Sequence, residues 1–378
     1  MALGQQGLTA QSHRLRTFEG NRNRLSIIAR YPGVRNSAGT VMHMMNPFAL
    51  RTRRHKGQRL AVLMLSVAVL AAIPASALMA QGGMAQGGGR QPYTVVESGR
   101  SFAALQDAVN AIGDGAGTIR IEPGVYRDCA VQQAGDVGFV AQVHGQTVFD
   151  GAACEGKATI VARGRATRVE GLIFQNIRVP DANGSGIRLE HGNLTVRQSW
   201  FRDSEQGILS ADDPASTVLI EQSTFSRLGR CDRGLSCAHS VYFGDYGSVT
   251  IRRSRFEAGR GGHYVKARAG RVEVTQSSFD DTGGRTTNYM IDLPAGATGK
   301  IADNVFVQGA DKENYSAFIA VAAEGRAHSA AGLSIAGNDA RFAPGISRSS
   351  AFVADWSGDA LAIGTNALGA GLTKFEKR

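Results

Sequence analysis

One short pattern recurs along this sequence, and it limits the fold more than any other feature. The pattern is apolar-x-apolar-x-x-Ser/Asn-x-Phe, as in residues 194–201 (LTVRQSWF). Successive copies end 23 to 34 residues apart, which indicates a structural repeat in the twenties with loop insertions of different lengths. The clear copies are residues 194–201, 218–225, 249–256 and 272–279, and the weaker ones are 169–174, 301–306, 335–340 and 363–368.

Short strands, glycine-rich turns and such a period predict a solenoid of stacked parallel β-coils. Each coil buries alternate residues and stacks on the next at a spacing of about 4.8 Å. The Phe positions would then form an aromatic column in the core, and the Ser/Asn positions a polar ladder at a bend. An alternating α/β domain is disfavoured because residues 140–378 show almost no apolar spacing of 3.6. The predicted fold class is therefore all-β.

One helix is predicted over residues 101–112. Ser101 is the expected N-cap, and apolar residues follow at Phe102, Leu105, Val109 and Ile112, on one face of a helix. A solenoid end exposes unpaired strand edges, so we expect this helix to cap the N-terminal end.

The positive charge of the chain is concentrated at its beginning. The formal net charge is +10, and residues 1–77 hold 11 Lys/Arg and a single acid, Glu19. The remaining residues hold 31 basic and 31 acidic side chains. The working domain is thus neutral, and we expect no nucleic-acid partner.

Residues 51–77 have the features of a secretory signal peptide. A basic cluster at 51–59 precedes an uncharged run of 14 residues at 60–73, followed by Ala75-Ser76-Ala77. The alternative is an uncleaved membrane anchor, although a span needs about 20 apolar residues. We expect export to the periplasm or the medium, no stable membrane span after cleavage, and a monomer.

The predicted organisation has three parts. Residues 1–77 form the leader, in which the segment before Met42 is either untranslated or disordered. Residues 78–92 form a flexible linker, and residues 93–378 form the β-helix domain.

Four cysteines lie in the exported part, at Cys129, Cys154, Cys231 and Cys237. Export permits disulfides, and of the three possible pairings the most local is Cys129 with Cys154 and Cys231 with Cys237. A metal cluster is the alternative. We discount it because the chain has no Cys-x-x-Cys and an oxidising compartment favours bridges, so no metal site is predicted from these residues.

Residues 93–96 (YTVV), the helix from Phe102 and residues 119–126 (IRIEPGVY) resemble the opening of the pectate-lyase-like right-handed parallel β-helix superfamily. The resemblance covers about residues 93–370. It implies a right-handed coil, in which Cys129 and Cys154, one coil apart, would join adjacent coils. The superfamily includes polysaccharide lyases, hydrolases, esterases, epimerases and non-enzymatic members, so the fold alone leaves the function open.

The strands that precede each repeat also align. The expected inward residues are Ile187, Ile208, Val241, Val265, Ile291, Ile319 and Val353. The residue after each points outward, which gives the column Arg188, Leu209, Tyr242, Lys266, Asp292, Ala320 and Ala354. Two residues before the inward position stand His239, His263 and Tyr289, and Glu324 falls just past the next strand. Three consecutive coils therefore gather chemically active side chains on one patch.

This patch has the groups needed for eliminative cleavage of a uronate-containing polysaccharide. The reaction needs a base for the proton α to the carboxylate, a cation for the developing charge and an acid for the leaving oxygen. We assign Lys266 as the base and Arg268 as the partner of the substrate carboxylate. Tyr242, Tyr289 or His263 is the acid.

Asp292 completes the candidate catalytic set, and His239, Tyr289, Arg188 and Glu324 are candidate substrate-binding residues. The structural alternative is that Lys266 and Asp292 form an ordinary cross-strand ion pair worth under about 1 kcal/mol. Further attraction for a uronate chain is expected from the arginine-rich loop that holds Arg227, Arg230 and Arg233.

The patch also resembles the lyase group of chondroitinase B and related alginate lyases. That resemblance implies a Lys base, an Arg one coil later, and Ca²⁺ held by nearby Asn and Glu. Here the next coil offers Asp292, Arg268 lies on the same strand as Lys266, and no Ca²⁺-ligand set is evident. No cofactor is therefore predicted from the residues, and Ca²⁺ is the one metal that the resemblance leaves open.

We predict an exported polysaccharide-active β-helix protein, specifically a lyase, with a cleft between the loops at 226–238 and 280–288. One alternative is a non-catalytic glycan-binding or envelope β-helix protein. Another is a glycoside hydrolase or an epimerase. A hydrolase needs two carboxylates at a defined separation, for which only Asp292 and Glu324 are available.

Overall fold

The computed structural model describes residues 90–378, so the predicted leader and most of the predicted linker lie outside the described residues. The described part contains one helix, α1 (Leu105–Ile112), and 32 strands. In chain order the strands are β1 (Tyr93–Val95), β2 (Arg100–Phe102), β3 (Ala116–Ile121), β4 (Gly124–Tyr126), β5 (Ala130–Gln132), β6 (Asp136–Ala141), β7 (Thr147–Asp150), β8 (Ala158–Ala162), β9 (Ala166–Glu170), β10 (Leu172–Gln175), β11 (Ser185–Leu189), β12 (Asn193–Arg197), β13 (Trp200–Arg202), β14 (Gln206–Ser210), β15 (Asp213–Glu221), β16 (Thr224–Ser226), β17 (Val241–Phe243), β18 (Tyr246–Arg252), β19 (Arg255–Glu257), β20 (Val265–Ala267), β21 (Arg271–Thr275), β22 (Ser278–Asp280), β23 (Ile291–Leu293), β24 (Thr298–Ala302), β25 (Val305–Gln308), β26 (Ala317–Val321), β27 (Ser334–Ala336), β28 (Asp339–Phe342), β29 (Ser350–Asp355), β30 (Ala362–Ile363), β31 (Ala367–Leu368) and β32 (Leu372–Lys377).

These strands form three long sheets in which each strand pairs with the one three places further along the chain. One sheet runs β2-β1-β3-β6 and then every third strand to β30, the second runs from β4 to β31, and the third from β5 to β32. All pairings are parallel except those among the first three strands. The described residues thus form an all-β solenoid of about nine turns, of the right-handed type that the sequence predicted.

A column of stacked phenylalanines fills one side of the core, as the repeat predicted. The members are Phe149, Phe174, Phe201, Phe225, Phe256, Phe279 and Phe306, with neighbouring ring centroids 4.8 to 5.7 Å apart. All are buried, because a single coil cannot cover its apolar face and the adjacent coils supply the cover. Ala340 and Leu368 continue the register beyond the last ring.

The predicted polar ladder lies beside this column. Its members are Ser199, Ser223, Ser254, Ser277, Asn304, Asn338 and Asn366. The backbone N–H of each of the first six donates to the side-chain oxygen of the next member at 2.9 to 3.3 Å. The residue before a ladder position takes a left-handed conformation, with φ of 46° at Gln198 and 51° at Gln222. The ladder therefore satisfies the backbone donors at a sharp bend that is buried between coils.

The helix forms within the predicted segment, but it starts later than expected. Ser101 is not its N-cap, because Ser101 lies in β2 and pairs with Thr94 of β1. The N-cap residue is Ala104, and the Leu105 N–H donates instead to the Asp128 carboxylate at 2.8 Å. Leu105 joins the buried core near the start of the solenoid.

Both predicted disulfides are present. Cys129–Cys154 joins adjacent coils near the N-terminal end, and Cys231–Cys237 closes a small loop. The two bridges are compatible with an oxidising, extracytoplasmic location. Among residues 90–378, the single helix is too short to cross a membrane.

Candidate active site

The strand register brings the predicted patch together. In the third sheet Tyr242 pairs with Lys266, Lys266 with Asp292, and Asp292 with Ala320. The residues predicted to point inward on these strands are fully buried in the core. Three consecutive coils, through β17, β20 and β23, therefore present an outward Tyr-Lys-Asp column.

A compact charge cluster forms around Lys266. Its Nζ lies 2.5 Å from Glu324 Oε1 and 3.4 Å from Asp292 Oδ2. The other oxygen of Glu324 accepts a hydrogen bond from the Arg268 guanidinium, and Arg268 Nε donates to the Tyr242 hydroxyl at 2.8 Å. A single carboxylate thus bridges an ammonium and a guanidinium. Lys266 is 9% exposed and Arg268 is 32% exposed, so the bridge is at the edge of solvent.

Glu324 reaches this cluster from the turn after β26, where its backbone N–H donates to the Pro294 carbonyl at 3.0 Å. Burial opposes ionisation of Glu324, but Lys266 and Arg268 outweigh that effect and lower the pKa of Glu324. For Arg268, burial acts against the charged form, whereas Tyr242 and Glu324 favour it and raise its pKa. Both groups are therefore ionised at neutral pH.

Three rings stack beside the charge cluster. His239 lies 5.0 Å from His263, and His263 lies 5.5 Å from Tyr289, measured between ring centroids. Burial, together with Lys266, lowers the pKa of His239 to about 3, and burial drives the pKa of His263 well below its usual range. His239 Nδ1 accepts the His263 backbone N–H at 3.0 Å, so the neutral ring carries its proton on Nε2. Both histidines are therefore neutral at physiological pH.

Asp292 lies beneath the site and is 3% exposed. Burial raises its pKa to about 6, even though Lys266 favours the charged form. His263 Nε2 lies 3.4 Å from Asp292 Oδ2, while Asp292 Oδ1 has no hydrogen-bond partner among residues 90–378. Asp292 therefore changes charge close to neutral pH, beside the ammonium of Lys266.

A cavity of about 480 Å³ opens over this cluster. It is lined by Ser236, Cys237, His239, Tyr242, Gly262, His263, Lys266, Arg268, Asn288, Glu313 and Glu324. The predicted loops at 226–238 and 280–288 contribute Ser236, Cys237 and Asn288. Asp292 and Tyr289 are not on the cavity wall.

Sequence reasoning missed Asn288 and Glu313 as wall residues. Glu313 Oε2 accepts a hydrogen bond from Asn288 Nδ2 at 2.9 Å, and Tyr289 Oη accepts one from Asn314 Nδ2 at the same distance. These residues lie in loops before β23 and β26, where period-2 alternation gives no direction for a side chain. In the described residues, isolated β-bridges join Gly262 to Thr287 and Thr287 to Lys312 on three successive coils. The sequence repeat does not predict these bridges.

Arg188 does not join the cavity. It pairs with Leu209, which in turn pairs with Tyr242, so it lies two coils away, with its Nε 3.8 Å from Glu190. Its predicted place in the outward column is correct. The column is interrupted by Leu209 before it reaches the charge cluster.

The arginine-rich loop is also not available to a ligand in the way the sequence suggested. Arg227 forms two hydrogen bonds with Asp203, and Arg233 donates to Glu205. Arg230 is buried, and its guanidinium donates to the carbonyls of its own loop. All three side chains therefore have internal partners, and none of them lines the cavity.

The oxygen donors of the cavity do not fit a Ca²⁺ ion, which takes six to eight oxygen ligands. Asp292 and Glu324 are already paired with Lys266, so a dication beside them would face an ammonium. The remaining acidic wall residue is Glu313. Cys231 and Cys237 approach it, but their sulfurs are joined in a disulfide.

Asp292→Asn is expected to change how stability depends on pH. The raised pKa of Asp292 means that the folded protein gains stability from its proton below about pH 4 and loses it as the pH rises through about 6. The Asn variant lacks this loss, so relative to wild type it should gain about 3 kcal/mol between pH 4 and pH 7.5. Urea unfolding of both proteins over that range measures the difference in stability. The subtraction also cancels the contributions of His239 and His263, which have the opposite pH dependence.

Asp339→Asn is the matched control, since it removes an exposed carboxylate on β28. Its stability difference from wild type should stay flat across the same pH range. A flat difference for Asp292→Asn as well would mean that the buried carboxyl titrates like an ordinary aspartate.

Comparisons with known proteins leave the family open. No protein-family model matches this chain, and no curated protein matches it. Two solved structures are similar. One is "Geobacillus virus E2 - ORF18", with 13% identity and a TM-score of 0.43 over 72% of this chain and 56% of that one. The other is the PL6 family alginate lyase AlyGC, with 12% identity and a TM-score of 0.41 over 70% of this chain and 39% of that one. This chain therefore spans little more than half of the first and about two fifths of the second.

Proposed function

We propose that this protein is an exported polysaccharide lyase that cleaves a uronate-containing glycan by β-elimination. The observation that carries the proposal is the Glu324 carboxylate held between Lys266 and Arg268. These two cations bind the Glu324 carboxylate at the edge of the cavity. The Tyr242 hydroxyl and the neutral imidazole of His239 lie beside them. A uronate carboxylate has the same chemistry as the Glu324 side chain. The predicted leader and the two disulfides support a periplasmic or secreted location.

In the proposed mechanism the substrate carboxylate replaces Glu324 at Arg268. The Arg268 guanidinium then stabilises the negative charge that develops when the α-proton leaves. In the free protein Lys266 lies between two carboxylates. It becomes a base once the substrate has displaced Glu324 and the ammonium has released its proton to solvent.

The neutral Lys266 amine takes the proton from C5, the C4–O4 bond breaks, and the electron pair forms the C4–C5 double bond. The leaving oxygen needs a proton. The Tyr242 hydroxyl accepts a hydrogen bond from Arg268, which leaves its own proton free for that oxygen. His239, as a neutral donor through Nε2, faces the same cavity and can hold a sugar hydroxyl.

A glycoside hydrolase is the second enzymatic candidate, since Asp292 and Glu324 approach within about 6 Å and their pKa values are shifted in opposite directions. Asp292, however, is 3% exposed and lies below Lys266, away from the cavity wall. It has no access to a glycosidic oxygen. The geometry therefore favours elimination.

The test is product formation on a panel of alginate, pectate, glucuronan and glycosaminoglycans. A lyase gives a rise in ultraviolet absorbance from the unsaturated uronate, with one new reducing end for each double bond. Tyr242→Phe should slow this reaction by about 100-fold or more, the usual contribution of a general acid. Arg341→Ala, which removes an exposed arginine far from the cavity, is the control and should leave the rate unchanged.

The other outcomes identify the rivals. New reducing ends without ultraviolet absorbance indicate a hydrolase, and a change of uronate configuration at constant chain length indicates an epimerase. Glycan binding without any product indicates the non-catalytic solenoid.

A further inference from the structure

The cavity has very few cations on its wall. Within the described part of the chain, Lys266 and Arg268 are the only cavity-lining residues with a positive charge. Lys266 is nearly buried, so Arg268 is the single cation with appreciable exposure. The nearby Lys312 is buried as well, and its ammonium lies 3.1 Å from Asp281. The site thus offers one carboxylate-binding point.

The rest of the wall is neutral or acidic. The isolated bridge that joins Gly262, Thr287 and Lys312 puts Asn288 and Glu313 level with His263 across three coils. His263 and Arg268 lie beyond opposite ends of β20, so this part of the wall is at the other end of the strand from Arg268. Among residues 90–378, Glu313 has Asn288 as its hydrogen-bond partner and no cation within ion-pair distance. A second uronate carboxylate at that end of the cavity would face the carboxylate of Glu313.

The domain also lacks a long-range attraction for polyanions. Residues 90–378 hold 31 basic and 31 acidic side chains, because residues 78–89 carry no charge. The arginines closest to the cavity in sequence, Arg227, Arg230 and Arg233, are held by Asp203, Glu205, Asp232 and loop carbonyls. A polyuronate would meet neither a positive groove nor a positive field.

The geometry points to a substrate class: a sparsely charged glycan in which each uronate is flanked by neutral sugars, as opposed to a homopolyuronate. One uronate carboxylate takes the place of Glu324 at Arg268, beside Lys266. Its neutral neighbours lie against His239 and Asn288, whose side chains suit hydroxyl groups, while Glu313 disfavours a second carboxylate. This inference rests on the proposed function, because it assigns the occupant of the same site.

The experiment is equilibrium binding of size-matched oligosaccharides to the Tyr242→Phe variant. The panel runs from oligomers of alginate and pectate, through hyaluronan oligomers, to fragments of an exopolysaccharide with one glucuronate in each four-sugar repeat. The sparsely charged oligomers should bind at least tenfold more tightly than the homopolyuronates. Their affinity should fall with salt with a logarithmic slope of about −1, as for a single ion pair.

Glu313→Gln gives a second readout. Removal of the acidic wall should raise the affinity for homopolyuronates by about three- to tenfold and change the affinity for sparsely charged oligomers by less than about twofold. Asp339→Asn removes one negative charge far from the cavity and should change neither.

Four results are distinguishable. Selective binding of sparsely charged oligomers with unsaturated product supports both proposals. The same selectivity without product on any glycan supports the substrate class and overturns the lyase. Unsaturated product mainly from homopolyuronates, with a steep salt dependence, supports the lyase and overturns the substrate class. Binding of none of these glycans overturns both.

Discussion

Replacement of Lys266 by methionine is expected to lower kcat/KM by about 1,000-fold or more, within the range of a lost general base. Methionine keeps the volume of the buried stem and removes the amine that takes the α-proton. The remaining Arg268 still binds the substrate carboxylate, so KM should change far less than kcat. The measurement is the initial rate of unsaturated product with the best glycan of the panel.

Two further variants separate a base from a mere charge. Lys266→Arg keeps a cation beside Asp292 and Glu324 but cannot be deprotonated, so it should remain as inactive as Lys266→Met. Lys300→Met, the same change at an exposed lysine of β24, should retain full activity. Recovery of activity in Lys266→Arg would show that the residue acts as a charge and would overturn its assignment as base.

Folding of the Lys266 variants has to be checked first, because the loss of one partner of a buried pair is costly. Without the ammonium, Asp292 lies buried beside a neutral side chain, and it will hold its proton to a higher pH. Relative to wild type, the Lys266→Met variant should therefore lose less stability at mildly acidic pH than at neutral pH. Thermal unfolding at both pH values separates a catalytic defect from a folding defect.

Most of the fold could be predicted from the sequence because a solenoid couples periodicity to register. A slip of one residue moves a whole strand from the core to the surface, so the alternation of Val241, Val265 and Ile291 fixes which residues point outward. That is why Tyr242, Lys266 and Asp292 were placed on adjacent coils. The Phe column and the Ser/Asn ladder follow from the same coil length.

The interactions of the loops could not be predicted in this way. Glu324 is 58 residues from Lys266 in sequence, and the turn that directs it into the cavity has no periodic signal. The arginines at 227, 230 and 233 looked available because their acidic partners lie in other coils or in the loop itself. Ser101 has the chemistry of an N-cap, but strand pairing with Thr94 competes for that segment and wins.

Phe225→Ala is expected to destabilise the protein by about 3 to 5 kcal/mol, the range for removal of a fully buried aromatic ring. The Phe225 ring lies between Phe201 at 5.0 Å and Phe256 at 4.8 Å, with nearly parallel planes. Alanine removes contacts with both neighbours and leaves a cavity that stiff β-coils cannot easily close. Urea unfolding followed by circular dichroism measures the loss.

The exposed end of the solenoid supplies the matched control. Phe375 on β32 is 41% exposed, so Phe375→Ala makes the same chemical change with little burial and should cost under about 2 kcal/mol.

In a solenoid each coil contacts only its neighbours, so a defect at Phe225 also weakens the coupling between the two halves of the stack. The coil that follows Phe225 carries Tyr242, and we expect activity to be lost at lower urea concentration than the bulk of the β-structure. Equal costs for Phe225→Ala and Phe375→Ala would mean that the rings slide along the column to fill the gap. The Phe column would then repack after the substitution, and the position of Lys266 relative to Tyr242 would depend on the strand ladder alone.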